Sequence, residues 1–116
     1  MIRTMNEKIT LNEVCNDGKT IHLYFNAWVG LYAAYGVSAY LLWKKTKAEA
    51  SYSDDLQMPV VVMNAQHYEE LKQQCKTVCK EPNYRRMMVE EKCDEDEYAE
   101  WAGKLREEGG LTSLMA

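Results

Sequence analysis

From Ala27 to Trp43 the chain runs through seventeen residues without one charge and then meets Lys44 and Lys45. No other feature limits the fold so strongly, because such a run is either the interior of a domain or a membrane anchor. That many residues, at about 1.5 Å each, is the bare minimum for a helical span, and the lysines beyond it suit a cytoplasmic flank. The residues themselves favour the interior. Tyr32, Tyr35 and Tyr40 fall across the middle of the run and not at its edges, and Gly30 and Gly36 each weaken a helix by about 1 kcal/mol. The β-branched and aromatic Thr20–Phe25 (TIHLYF) leads straight into it as a strand. The run reads as core; a single-pass span over 27–43 is the lesser alternative.

A chain of 116 residues makes one domain with room for a core. Residues 1–87 carry 11 Lys/Arg against 9 Asp/Glu, and residues 88–116 carry 3 against 9. That acidic last quarter argues against tight nonspecific duplex binding, which needs clustered cations. MIRTMNEKIT has neither the apolar core nor the cleavage site of a secretory signal, so the expectation is a cytoplasmic protein with Cys15, Cys75, Cys79 and Cys93 reduced. Cys75 and Cys79 share a helix face with His67 two turns earlier, but no second ligand pair is spaced to complete a zinc site. No metal and no cofactor is expected.

Along the chain, Lys8–Cys15 alternates as a weak strand, Asn16-Asp17-Gly18-Lys19 is a hairpin turn, and Thr20–Phe25 is the second strand. The apolar run follows as a helix, with a break at Gly36-Val37-Ser38 where Ser38 caps a fresh helix over Ala39–Lys47. Thr46–Gln57 is polar loop. Met58–Met63 (MPVVVM) is the best buried-strand signal, with Pro59 at its start. Asn64 caps a helix whose stripe is Tyr68, Leu71, Cys75, Val78 and Cys79, ended by Pro82-Asn83. Arg86–Glu90 is a short strand. Asp94 and Glu97 form a capping box for a last helix with Tyr98, Trp101, Ala102 and Leu105 on its core face, stopped by Gly109-Gly110. The order β-β-α-β-α-(β)-α predicts a single compact α/β (α+β) domain over 1–110, a small mixed β-sheet with helices packed on it, and a loose tail over 111–116.

No P-loop, dinucleotide fingerprint or nucleophile elbow occurs, neither His22 nor His67 has a motif partner, and Asp54-Asp55 reads as a solvated loop pair. The expectation is a non-catalytic protein. The acidic run from Glu90 to Glu97 reads as a solvated helix start or as a docking surface for a basic partner.

Ile21–Cys79 resembles the N-terminal, mismatch-reading domain of the MutS family. The carrying residues are the strand Leu23-Tyr24-Phe25, then Gly30 and Leu31-Tyr32-Ala33-Ala34-Tyr35-Gly36-Val37-Ser38-Ala39, in which Tyr32, Tyr35, Gly36 and Ala39 match in type. Met58-Pro59-Val60-Val61-Val62, Tyr68-Glu69-Glu70-Leu71 and Thr77-Val78-Cys79-Lys80-Glu81 follow in order. The last piece resembles a strand of the family and competes with the helix reading of Val78 and Cys79, which leaves 76–80 open between helix end and strand. The resemblance implies the family's fold and an ancestral contact to DNA. It does not imply mismatch reading: the family's Phe-x-Glu pair falls on Leu31 and Ala33, or on Tyr32 and Ala34 one residue later, and the family's ATPase, clamp and dimer domains have no counterpart in these residues.

Two functions follow. One is weak binding of duplex DNA, with Leu31, Tyr32, Lys44, Lys45, Lys47, Arg85 and Arg86 as contacts. The other is a protein-interaction module that docks a partner on the acidic helix through Glu95, Asp96 and Glu100.

Overall fold

The computed structural model describes residues 4–26 and 30–115, with side chains as far as 108. The elements are α1 (Met5–Val14), β1 (Thr20–Asn26), β2 (Leu31–Tyr35), α2 (Gly36–Thr46), β3 (Ala50–Ser53), β4 (Met58–Met63), α3 (Ala65–Gln74), β5 (Lys76–Glu81), β6 (Tyr84–Met88) and α4 (Glu95–Met115). After α1 the chain is three β-hairpins, each followed by a helix. The hairpins lie side by side in one six-stranded sheet of order β3-β4-β2-β1-β6-β5, and every pairing is antiparallel. One α+β domain with helices on a sheet is the expected class.

Side chains alternate across a strand, and cross-strand partners share a face. On one face Ile21 and Leu23 stand beside Met87, Ala34 and Val61, all fully buried. Leu42 of α2, Leu71 of α3, and Tyr98 and Trp101 of α4 close over them. Tyr40 and Trp43 meet Trp101 at 5.2 and 5.4 Å between ring centroids, so α4 docks on α2 through aromatic rings. On the other face stand Thr20, His22, Tyr24 and, in register with them, Met88, Arg86 and Tyr84. Here the covering helix is α1, tied down by the hydrogen bond from Asn12 to the Tyr24 hydroxyl.

Several expectations hold. Met58–Met63 is a strand with Pro59 buried in it. Asn64 caps α3 by accepting from the His67 amide at 2.9 Å. Asp94 caps α4 by accepting from the amides of Asp96 and Glu97 at 2.9 and 3.0 Å. Among the described residues no helix is long and apolar enough to cross a membrane; Ala27, Trp28 and Val29 of the proposed span lie outside them.

Others are corrected. Lys8–Cys15 is not a strand. Thr4 accepts from the Glu7 amide at 3.1 Å and opens a helix, and Asn16-Asp17-Gly18 then joins helix to strand instead of closing a hairpin. The alternation of Ile9, Leu11 and Glu13 hid a helical pair, Ile9 and Glu13, both buried. Residues 31–35 are strand, not helix: Tyr32 and Ala34 are buried while Leu31, Ala33 and Tyr35 are half-buried, a period of two. The break falls at Gly36 as expected, but α2 starts there and Ser38 lies within its first turn. The supposed loop 46–57 contains β3. The third helix ends at Gln74, and the β-branched Thr77-Val78 belongs to β5, so Pro82-Asn83 turns a hairpin and does not stop a helix. The sixth strand is Tyr84–Met88, two residues before the expected one. The last helix continues through Gly109-Gly110 to Met115; glycine costs a helix interior about 1 kcal/mol without forbidding it.

Gly36 has φ +57, and a Cβ there would lie 3.1 and 3.2 Å from the Glu13 side chain. Gly36→Ala should therefore lower the unfolding free energy by at least about 1–2 kcal/mol, whereas Gly103→Ala, with nothing within 4 Å of the added carbon, should raise it by about 0.5–1 kcal/mol. Urea midpoints of the two variants check the opposite signs.

Candidate functional site: the face under helix α1

Gly36 opens α2 directly from β2, and the residue before it, Tyr35, makes no side-chain hydrogen bond that caps the helix. Glu13, reaching over from α1, does so instead. Its carboxylate accepts from the Ser38 amide at 2.9 Å and the Ser38 hydroxyl at 2.6 Å, and the Val37 amide also bonds to it. The amides of Val37 and Ser38 are donors that a helix N-cap ordinarily satisfies, and the acceptor here comes from a residue far away in sequence. The Ser38 oxygen in turn accepts from the His22 amide at 2.9 Å. The Asn16 side-chain amide donates hydrogen bonds to the Glu13 carboxylate at 3.2 Å and to the Thr20 carbonyl at 2.8 Å. One buried network thus joins the ends of α1 and α2 to the middle of β1.

The network perturbs its titratable members. Burial pushes the Glu13 carboxyl up to about 7, against the hydrogen bonds from Ser38 that favour its charge. Burial, with the Arg86 guanidinium beside it, pushes the His22 imidazole down to about 4. His22 Nδ1 lies 2.6 Å from the Tyr84 hydroxyl, and burial raises the phenols of Tyr84 and Tyr24. At neutral pH the histidine and both tyrosines are therefore neutral hydrogen-bonding groups. Each of these side chains is held by a partner within the fold. Among the described residues no group of three or more His, Cys, Asp and Glu is placed to hold a metal.

Beside α1 the surface is hollow. A groove of about 540 Å³ lies between α1 and the β5–β6 turn, lined by Met5, Lys8, Leu11, Asn12, Tyr24 and Tyr84 among others. A second, of about 650 Å³, continues along β6 past Asn12, His22, Lys76, Val78, Arg86 and Met88. Asn12 lines both, so the two hollows adjoin along α1 and make a trough divided at the Asn12 side chain. A third hollow of about 530 Å³ lies on the other side of α1, against Asp55 and Leu56 of the β3–β4 turn.

The residues singled out from sequence are scattered. Leu31 is half-buried on the α1 face of β2, whereas Tyr32 points the other way, buried and stacked on Tyr68 at 4.4 Å. Lys44, Lys45 and Lys47 leave the C-terminal end of α2, on the opposite side of the sheet from Arg86. Lys44 lies 3.8 Å from Glu97 and over the Tyr40 ring, and Lys47 lies over Trp43. Arg85 donates to the carbonyls of Glu81 and Tyr84. Of the acidic candidates, Glu95 and Asp96 are exposed in the first turn of α4, and Glu100 pairs with Lys104 at 3.7 Å. The residues that do come together are Asn12, Glu13, Asn16, His22, Ser38 and Tyr84; none of them is among the site residues expected from sequence, where Ser38 figures as a helix cap and His22 as a histidine without a motif partner. The signal was present: Thr4-x-x-Glu7 is a capping box, and a helix begun there puts Ile9 and Glu13 on one face.

Comparison of the chain with protein-family models, curated proteins and solved structures finds no match. The likeness to the MutS mismatch-reading domain rests on the residues quoted for it alone.

The opposed shifts of Glu13 and His22 give a pH signature. Glu13 is raised, so the stability it contributes is full below its ordinary value of 4.5 and is lost as pH rises through about 7. His22 is lowered, so its contribution is full above its ordinary 6.5 and is lost as pH falls through about 4. Between those values the two slopes oppose. Removing either group should unmask the other: Glu13→Gln becomes more stable as pH rises from 4.5 to 6.5, and His22→Gln becomes less stable over the same interval. Urea titrations at a series of pH values read both slopes.

Proposed function

We propose that this chain is a non-catalytic protein-binding module and that its docking face is the α1 side of the sheet. One observation carries the reading. The exposed large hydrophobic residues among those described are Met5, Leu11, Val14, Val62 and Val78, and all five belong to that side. Met5, Leu11 and Val14 are on α1. Val62 pairs with Ala33, which pairs with Tyr24 beneath α1. Val78 lines the trough with His22 and Arg86. Val14 is 76% exposed, and apolar residues gathered on one side mark a surface that gains by being covered. The hydrogen-bonding groups underneath are occupied by one another, which supports a scaffold over a reaction centre.

This moves the docking surface away from the acidic helix. Of the three acids proposed there Glu100 has its own lysine while Glu95 and Asp96 are exposed, and the helix shows none of the exposed large hydrophobic residues among those described. Weak binding to duplex DNA, which the MutS resemblance implies, has the lysines at the end of α2 in its favour; the other two cations proposed for it, Arg85 and Arg86, point to opposite faces of β6.

A photo-cross-linking residue placed at 14 or 62 in cells that naturally express the chain should yield protein adducts, and the same residue at 45 should yield none. Adducts from position 45 alone, or nucleic acid in place of protein at 14 and 62, would reverse the assignment.

A further inference from the structure

A six-stranded sheet spans about 24 Å across its strands, whereas a helix with its side chains covers about 10 Å. The core face is closed by α2, α3 and α4, but the opposite face has α1 alone. The β5–β6 hairpin therefore keeps a helix-sized vacancy beside α1, which is the trough already described. We infer that this trough receives an acidic amphipathic helix from a protein partner, laid alongside α1 to complete the second layer. The inference rests on the protein-binding reading and names the partner's chemistry.

Charge and apolarity both point to that occupant. Lys8, Lys76 and Arg86 line the trough, and none of the three has an ion-pair partner among the described residues. The carboxylates at its rim are Glu81 and Asp17, and Asp17 is engaged by the Lys19 amide and the Thr20 hydroxyl at 2.9 and 3.0 Å. Leu11 with Tyr24 and Tyr84 in the first hollow, and Val78 with Met88 in the second, supply the trough's apolar lining. A helix with leucine-like residues at i, i+3, i+4 and i+7 and carboxylates on its flanks matches both features. A second copy of the chain matches poorly. Among the described side chains, the apolar ones of α2 and α3 and Tyr98 and Trp101 of α4 are spent on its own core, and α1 has Lys8 beside Glu7, with Glu13 buried.

The test uses the full chain as bait for a displayed library of helix-forming peptides about 16 residues long, four to five turns. Enriched peptides should be amphipathic with Asp and Glu flanking the apolar stripe. The double reversal Lys76→Glu/Arg86→Glu, both at exposed positions, should weaken the best of them by about tenfold or more with the urea midpoint unchanged. Lys44→Glu/Lys45→Glu should leave the affinity as it was. The proposal is overturned if no sequence enriches over background, if enriched peptides are basic, or if the double reversal has no effect. Displacement of the peptide by duplex DNA would give the trough to nucleic acid, and a dimer in solution that buries Arg86 would give it to a second copy. Protein cross-links at 14 and 62 alongside a failed selection would sink the acidic helix and leave the protein-binding reading standing.

Discussion

The carboxylate of Glu13 at the N-terminus of α2 is the contact that joins the two helical layers of this fold across the sheet. A helix that springs straight from a strand through a left-handed glycine has no room for its own cap, and Gly36 is such a residue. Without a partner, the amides of Val37 and Ser38 would be buried and unpaired, which costs more than a hydrogen bond returns. Glu13 supplies the acceptor, and in doing so it fixes α1 against the sheet and sets the angle at which α2 leaves β2. The α2 helix in turn brings Tyr40, Leu42 and Trp43 onto the core, where α4 docks. One buried acid thus links both layers of the domain.

Burying that acid has an energetic cost, visible in its raised affinity for a proton. The same enclosure lowers the proton affinity of His22, one step away through the Ser38 oxygen. Near neutral pH the network's base is unprotonated, while its acid stands close to its own midpoint and is partly charged. Its hydrogen bonds run between elements, from Glu13 of α1 to Ser38 of α2 and from Ser38 to His22 of β1. What the network positions is α1, a ten-residue helix whose outward side chains include Met5, Leu11 and Val14.

The sequence was most legible where a single signal acted alone. The valine run of β4, the Asn64 cap and the Asp94 cap each formed as their residue types dictate. It was least legible where two periods coincided. Ile9-x-Leu11-x-Glu13 alternates like a strand, yet Ile9 and Glu13 are also one helical turn apart, and only the cap at Thr4 decides between them. Leu31–Tyr35 carries alanines that favour a helix, but pairing on both sides, with β1 and β4, overrides that preference. Val78 and Cys79 extend the stripe of α3 at helical spacing, and the hairpin through Pro82-Asn83 takes them for the sheet. The site was hidden for a related reason. Glu13 and Ser38 are far apart in the chain, and nothing local tells that one will cap the other's helix.

Residue-resolved amide exchange on the full chain, native and Glu13→Ala, tests the central role of Glu13 most directly. Loss of the cap should release α1 and the amides of Val37 and Ser38 to local opening while β1, β4 and β6 keep their protection. If the variant instead exchanges faster everywhere by the same factor, or if α1 and the first turn of α2 keep native protection, then Glu13 is not what holds the two layers together.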